Sequence, residues 1–328
     1  MFLMTNNITI GDFKPFKCTS VSWNRSIDNY ADSAKITMPG VGRLKKGGDQ
    51  YGLPVSSGML FKKGMPVEIA CGYNGNNSVR FKGFVKKINY SIPLEIECEG
   101  YSYQLQADKK TLKKNYEHTT VRKILEDVVA GTGVKLSAQI PHIPVIKAPM
   151  AGLSGVKVLE WLKENMLLTA YFNFDELYVG LRYVDVKRSQ EVVHRLGWNV
   201  IKDKELDFDE SKSDTKVNIT LEVRKSTGVK KKVEAPAEGG KKSFVVVGVD
   251  PESDFLKKLH KDIQTKEYHK GYSGKLTCFL DPVCDLNMVS VIRDARYIER
   301  AGKYVIESVE GSFSSSGGRQ KVGVGVKL

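Results

Sequence analysis

Disulfide frameworks, membrane helices and the familiar catalytic signatures are all missing from this sequence. Its five cysteines are an odd number with no Cys-x-x-Cys pair, which argues against a disulfide scaffold or a zinc ribbon. Cys71 continues the face of Val67 and Ile69, Cys98 that of Leu94 and Ile96, and Cys278 stands between Leu276 and Leu280, each at the two-residue period of a strand face. They read as small core residues, with metal or disulfide roles as the alternative. No run approaches the ~18 consecutive apolar residues of a membrane helix. The start MFLMTNNITIGDFK has neither the basic cluster nor the apolar length of a signal peptide, so a chain folded in the cytoplasm is expected.

Chemistry is equally scarce. His118, His142, His194, His260 and His269 form no His-Glu-x-x-His and no paired spacing on one face. GYSGK around Ser273 is one residue short of a nucleophile elbow. GRLKKGGD keeps the gap of a phosphate loop between Gly42 and Gly47, but Gly48 and Asp49 stand where lysine and a hydroxyl must meet phosphate and magnesium. Asp207, Asp209 and Glu210 read as a charged turn without a pocket around it. No catalytic residue, metal or cofactor is expected.

Strands are what the chain has in abundance. ITIGDFKPFKCTSVSW, SAKITMP, PVEIACGY, VRFKGFVKKINYS and LEIECEGYSY are β-rich segments divided by Gly, Asn, Asp and Pro, the pattern of a barrel or sandwich. The middle differs. From Thr119 as N-cap, Val121, Ile124, Leu125, Val128 and Val129 follow helical spacing up to Gly131, and a second helix begins after Ser154. A hairpin turning at Asp175-Glu176 follows, and Trp161, Tyr171, Phe172 and Phe174 read as core. The last third returns to strands, with one helix after Ser253.

The two strand-rich parts repeat a pattern. Val85 to Ile88 and Ile306 to Val309 are both apolar-polar-polar-apolar steps before a turn and an alternating strand, and GMPVEIACGY and NMVSVIRDARY precede them at similar distances. The reading is a mainly β chain with an α+β insert: two similar tube-type β-barrels, residues 1–105 and 196–328, flanking an α+β piece at 106–195. The closing strand carries Val322, Val324, Val326 and Leu328 on one face and Gly323 and Gly325 on the other. A glycine stripe marks either close approach of another backbone, making these two candidate inter-subunit contacts, or a bend in a tight barrel.

The net charge of +13 gathers in two places, ADKKTLKKNY and VRKSTGVKKKVEAPAEGGKK. In the second, Arg224, Lys225, Lys230, Lys231, Lys232, Lys241 and Lys242 read as an exposed basic hairpin, with a contact patch for an acidic partner as the alternative. Nucleic acid is not expected as a specific partner, because no aromatic platform or recognition helix accompanies these residues.

SVSWNRSIDNYADSAKITMPG, LFKKGMPVEIACGYNGNNSVRFKGFVKKI, TTVRKILEDVVAGTGV, SGVKVLEWLKENMLLTAYFNFDELYVGLRY, LGWNVI and AGKYVIESVEGSFSSSGGRQKVGVGVKL resemble, in that order and over nearly the whole chain, phage tail baseplate hub proteins of the late control protein D type. The resemblance implies a homotrimer with two tube-like barrels per chain. Such a trimer adapts a sixfold tail tube to a threefold spike in the virion baseplate of a phage, a prophage or a related contractile injection system, and it is assembled in the bacterial cytoplasm. Tail tube protein and spike are the implied partners. The chain ends at Leu328 inside the second barrel without a β-helix, so the spike is expected to be a separate chain, and no lysozyme-like or peptidase domain is added. Two other classes set the comparison: a basic nucleic-acid-binding barrel, and a component of a cell-wall hydrolase.

Overall fold

The computed structural model describes residues 3–14, 18–47, 50–188, 190–209, 218–224, 230–234, 241–250, 252–267 and 271–328. The first part contains β1 (Met4–Ile10), β2 (Ser20–Ser26), β3 (Asn29–Met38), β4 (Val41–Gly47), β5 (Gln50–Ser56), a single turn α1 (Ser57–Leu60), β6 (Pro66–Tyr73), β7 (Asn76–Asn89) and β8 (Leu94–Glu99). The middle adds β9 (Tyr116–Thr120), α2 (Val121–Val129), β10 (Lys135–Leu136), β11 (Pro144–Ala148), α3 (Gly155–Met166), β12 (Thr169–Asn173) and β13 (Glu176–Gly180). The last part runs through β14 (Glu191–Arg195), β15 (Val200–Asp209), β16 (Asn218–Arg224), β17 (Lys230–Glu234), β18 (Lys241–Val247), α4 (Asp254–Glu267), β19 (Gly271–Cys278), β20 (Val289–Arg293), β21 (Gly302–Ser314) and β22 (Gly317–Lys327). The chain is mainly β with a small helical insert, as its period-two patterning implies.

Twelve strands share one sheet, in the order β1-β6-β7-β8-β3-β2-β21-β22-β19-β15, with β20 on β21 and β14 on β20. The order β1-β6-β7-β8-β3-β2 in the first half reappears as β14-β20-β21-β22-β19-β15 in the second. Every corresponding pairing is antiparallel in both halves except the outermost, since β1 pairs β6 antiparallel and β14 pairs β20 parallel. β14 therefore belongs to the large sheet, although it falls inside the 106–195 segment of the sequence reading. The halves are also joined through their ladders rather than standing as two separate sheets, because β2 pairs with β21 from Ser20↔Ser314 to Ser26↔Ser308.

The apolar-polar-polar-apolar step is a β-bulge each time. The register slips between Val85 and Lys87 against β8, and between Ile306 and Ser308 against β22, so two polar residues oppose one. The supporting hydrogen bonds match as well. The N–H of Val85 donates to Met65 O at 2.9 Å and Gly64 N–H to Val85 O at 2.8 Å; Ile306 N–H donates to Met288 O and Asn287 N–H to Ile306 O, both at 2.9 Å. Gly64 and Asn287 both take the left-handed backbone this corner needs, φ +86° and +62°.

In the insert, Thr120 rather than Thr119 caps α2, its side chain accepting from Lys123 N–H, and Val121, Ile124, Leu125 and Val128 are fully buried. Each contributes about 1.5–3 kcal/mol by leaving water. Ser154 caps α3 in the same way, accepting from Lys157 N–H. This core continues beyond the insert to Leu221, Val223 and Val246 of β16 and β18, to Leu256 and Leu259 of α4, and to Ile306, Val309 and Val322 of the large sheet. The first half has its own core around Ile36, Ile69, Phe81, Val85 and Ile96. The stretch around Gly42 and Gly47, compared above with a phosphate loop, forms the β4–β5 hairpin.

Candidate functional site

Among the described residues, the seam between the halves carries a network of buried polar side chains. On β2 the alternation Val21, Trp23, Arg25 faces inward, all three buried. Trp23 lies opposite Gly311 of β21, and a Cβ on that glycine would stand 1.9 Å from the indole. Glycine is required there because the ring occupies the position of its missing side chain.

Arg25, 3% exposed, is held from three directions. Its Nε donates to Asp32 Oδ2 at 3.3 Å, Nη1 to Asp285 Oδ1 at 2.6 Å and Nη2 to Asn173 Oδ1 at 3.1 Å, while its guanidinium sits 4.1 Å from the centroid of the Phe174 ring. One side chain thus ties β2 and β3 to the β12–β13 turn and to the loop before β20. Burial pushes the Asp32 carboxyl up to about 7, against the opposing pull of Arg25.

A second knot lies beside the bulge of β21. Arg182 donates from Nη1 and Nη2 to the Asp28 carboxylate and from Nη2 to Glu307 Oε2 at 2.7 Å, and the Tyr183 hydroxyl donates to Glu307 Oε1 at 2.5 Å. Burial alone would raise the Asp28 carboxyl, but the hydrogen bond and charge of Arg182 bring it below its ordinary value. The loop carrying Arg182 is fixed by Asp262 of α4, whose carboxylate accepts from the N–H groups of Arg182, Tyr183 and Val184 at 3.0, 2.6 and 2.9 Å.

The glycine stripe borders this knot. A Cβ on Gly325 would lie 2.0 Å from the Glu307 carboxyl carbon, and one on Gly323 would lie 2.1 Å from Ser308 Oγ. Both glycines are buried, and the space beside them is filled by side chains of the same chain at the floor of an open cleft of about 430 Å³. Val322, Val324 and Val326 are buried on the opposite face, while Leu328 is exposed. Replacing both glycines by glutamate is therefore expected to lower the melting midpoint of the isolated chain, because Glu307 must leave Arg182 and Tyr183. Unchanged melting with loss of assembly would assign the stripe to a contact between subunits.

Parts of the basic segment lie on strands. Arg224 ends β16, Lys230, Lys231 and Lys232 open β17, and Lys241 and Lys242 open β18; Lys225 lies outside the described residues, as do the side chains of the other six. The three strands form a sheet in the order β17-β16-β18, anchored by Leu221, Val223 and Val246 in the insert core. Asp207 and Asp209, read from sequence as part of a turn, instead lie on β15, with Asp207 exposed, and Glu210 is outside the described residues.

A buried polar cluster that no sequence motif announces is made by residues far apart in the chain. His194 of β14, Cys278 of β19, Cys284, Ser290 of β20 and Gln320 of β22 meet in the interior. Among the described residues no group of three or more His, Cys, Asp or Glu is arranged to hold a metal ion. No described helix is long and apolar enough to cross a membrane.

The repeated strand order, the bulged corners and the α/β insert define a fold already seen in tailed-phage and secretion machinery. The chain is similar to a tail protein from Neisseria meningitidis, with a TM-score of 0.67 and 13% identity, covering 98% of this chain and 96% of that one. It is also similar to the 43 kDa tail protein of prophage MuSo2 from Shewanella oneidensis, with a TM-score of 0.61, 14% identity and the same two coverages, 98% and 96%. An Escherichia coli component of the type VI secretion system, described as structurally similar to the T4 tail proteins gp27 and gp5, matches with a TM-score of 0.59 and 9% identity, covering 98% of this chain and 76% of that chain. No protein-family model matches the sequence, and neither does any curated protein.

Proposed function

We propose that this chain is a non-enzymatic hub of a phage tail baseplate or a related contractile injection machine, of the late control protein D type. Three copies would join a sixfold tail tube to a threefold spike. The observation that carries the reading is the repeated strand order with its repeated bulge, since a threefold object meets a sixfold ring only if each chain offers two equivalent surfaces. Residues 1–105 and 196–328 are the two copies in this proposal, the second extended back to β14.

The seam between the halves suggests how neighbouring chains meet. On β21 the edge that pairs with β20 up to Val305 is taken over, beyond the bulge, by β2. The matching edge of β7 pairs with β6 only as far as Phe84, and among the described residues no strand follows there along Lys86–Asn89. The counterpart of β2 is β15, which ends the sheet path and, among the described residues, pairs only with β19. In a ring the second half of one chain therefore lays β15 beside β7 of the next, repeating the β2–β21 joint. Matching the ladders puts Asp207 opposite Asn89 and Asp209 opposite Lys87. An Asn89→Cys, Asp207→Cys double variant, assembled with its tube and spike partners and mildly oxidised, is expected to give disulfide-linked dimers and trimers on non-reducing gels. Assembly without any link between chains at these positions overturns the edge assignment.

Two observations separate this reading from the other classes. A hydrolase component is supported only if the purified chain clears peptidoglycan in zymography, and a nucleic-acid-binding barrel only if it gives a salt-dependent gel shift. Neither result is expected.

A further inference from the structure

The cysteines of this chain are not chemically alike, although four of the five are buried. Burial pushes the Cys71 and Cys98 thiols up to about 12, in Cys71 against the opposing pull of Arg80, the inert condition of a core cysteine. Cys278 is fully buried too, yet its thiol is pushed down, first by a hydrogen bond from Cys284 and then by His194, while the same shared proton and burial push Cys284 up. The surroundings are built for this. The Cys284 sulfur lies 3.5 Å from His194 Nε2, and His194 Nδ1 lies 2.7 Å from Ser290 Oγ. Gln320 Nε2 donates to Phe279 O at 2.8 Å and Pro282 O at 2.6 Å and lies 3.6 Å from the Cys284 sulfur, holding the loop that presents it. His194, Ser290 and Gln320 are all fully buried. A core that needed only volume here would carry an apolar trio without the cost of satisfying three polar side chains.

We propose that Cys278 and Cys284 are a dithiol pair that closes to a disulfide by exchange with a low-molecular-weight disulfide, with His194 as the proton acceptor. The Cys278 thiolate attacks one sulfur of the disulfide, forming a mixed disulfide and releasing one small thiolate. His194 then takes the proton of Cys284, whose sulfur attacks Cys278 and expels the second small thiol. Two protein thiols and one small disulfide thus become one protein disulfide and two small thiols. Closure fastens β19 to the loop 281–286, and that loop carries the Asp285 contact to Arg25. Leu280, just before it, is held to the first half by its N–H donating to the Tyr73 hydroxyl and its carbonyl accepting from Arg80 Nη2. Its physiological sense rests on the tail-protein reading, because a particle assembled in a reducing cytoplasm works after release into an oxidising medium. The thiol chemistry itself does not depend on that reading.

The test uses the purified, reduced full-length chain exposed to oxidised glutathione, then denatured, alkylated and mapped by peptide mass spectrometry. The expected result is a Cys278–Cys284 disulfide, with the other three cysteines alkylated. Cys284→Ser is expected to stop at the glutathione adduct on Cys278, and His194→Asn to slow closure about tenfold near neutral pH. Complete alkylation of all five cysteines after exposure overturns the proposal, as does a disulfide at any other pair. So does a co-purifying metal ion whose removal by chelator is needed before either thiol reacts. A native disulfide formed by a chain that fails to assemble with tail proteins would leave the thiol chemistry standing and count against the tail reading alone.

Discussion

Replacing Arg25 by leucine is expected to lower the stability of the chain by about 3–5 kcal/mol near neutral pH, the usual cost of breaking a buried ion pair from one side. The cause is the partner left behind, since Asp32 is 3% exposed and its Oδ1 already has no hydrogen-bond partner. The effect carries a sign in pH. Burial raises the Asp32 carboxyl to about 7, so the folded chain holds a proton that the unfolded chain releases near its ordinary value of about 4. The stability linked to that proton is fully present below about 4 and is lost as pH rises through about 7. Without the guanidinium the carboxyl rises further, and the loss extends to higher pH. Urea melts of variant and parent should therefore diverge more at about pH 8.5 than at about pH 5.5. Asp285, on the far side of Arg25, raises the Asp32 carboxyl as well and does not reverse the trend. Adding Asp32→Asn to the leucine variant should recover part of the loss at the higher pH. A gap that is flat with pH would mean that Asp32 stays ionised in the folded chain.

The second large effect falls on the seam. Trp23→Ala is expected to cost about 3–5 kcal/mol, the range for removing a buried aromatic. Gly311→Val is expected to cost several kcal/mol, because its side chain would fill space now held by the indole ring, with its Cβ 1.9 Å from the nearest atom. The two are coupled. Once Trp23 is alanine, a side chain at residue 311 has room, so Gly311→Ala should be costly in the parent and nearly neutral in the Trp23→Ala background. Simple additivity in denaturant melts would show that the ring does not sit over the glycine.

Local features of this fold were legible because local chemistry specifies them. The step Val85 to Ile88 and its echo at Ile306 to Val309 could be read as a repeat, since a bulge places two polar residues between two inward apolar ones. Ser154 and Gly131 marked a helix start and stop for the same local reason. The strand containing Leu221 and Val223 was readable by its alternation. Pairings between distant strands were not. Period two tells which face of β2 is buried but not that its free edge meets β21, nearly 300 residues later. The glycines at 323 and 325 read as close approach of another backbone or as a bend, whereas the neighbours of these positions within the chain, Glu307 and Ser308, come from the preceding strand across a bulge that shifts the register. Asp207 and Asp209 resembled a turn because an edge strand is itself rich in charge. His194, Cys278 and Cys284 carry no motif, as only the parallel pairing of β14 with β20 brings the histidine to the thiols.

In the proposed hub, one chain supplies two equivalent stations in a ring. Electron cryomicroscopy of the tail tip in assembled particles tests it most directly. Three copies of this chain are expected between tube and spike, with the sheets β6-β7-β8-β3 and β20-β21-β22-β19 at alternating positions about 60° apart around the axis. Six copies in the ring, or three copies whose two halves lie at unrelated heights and angles, would contradict it.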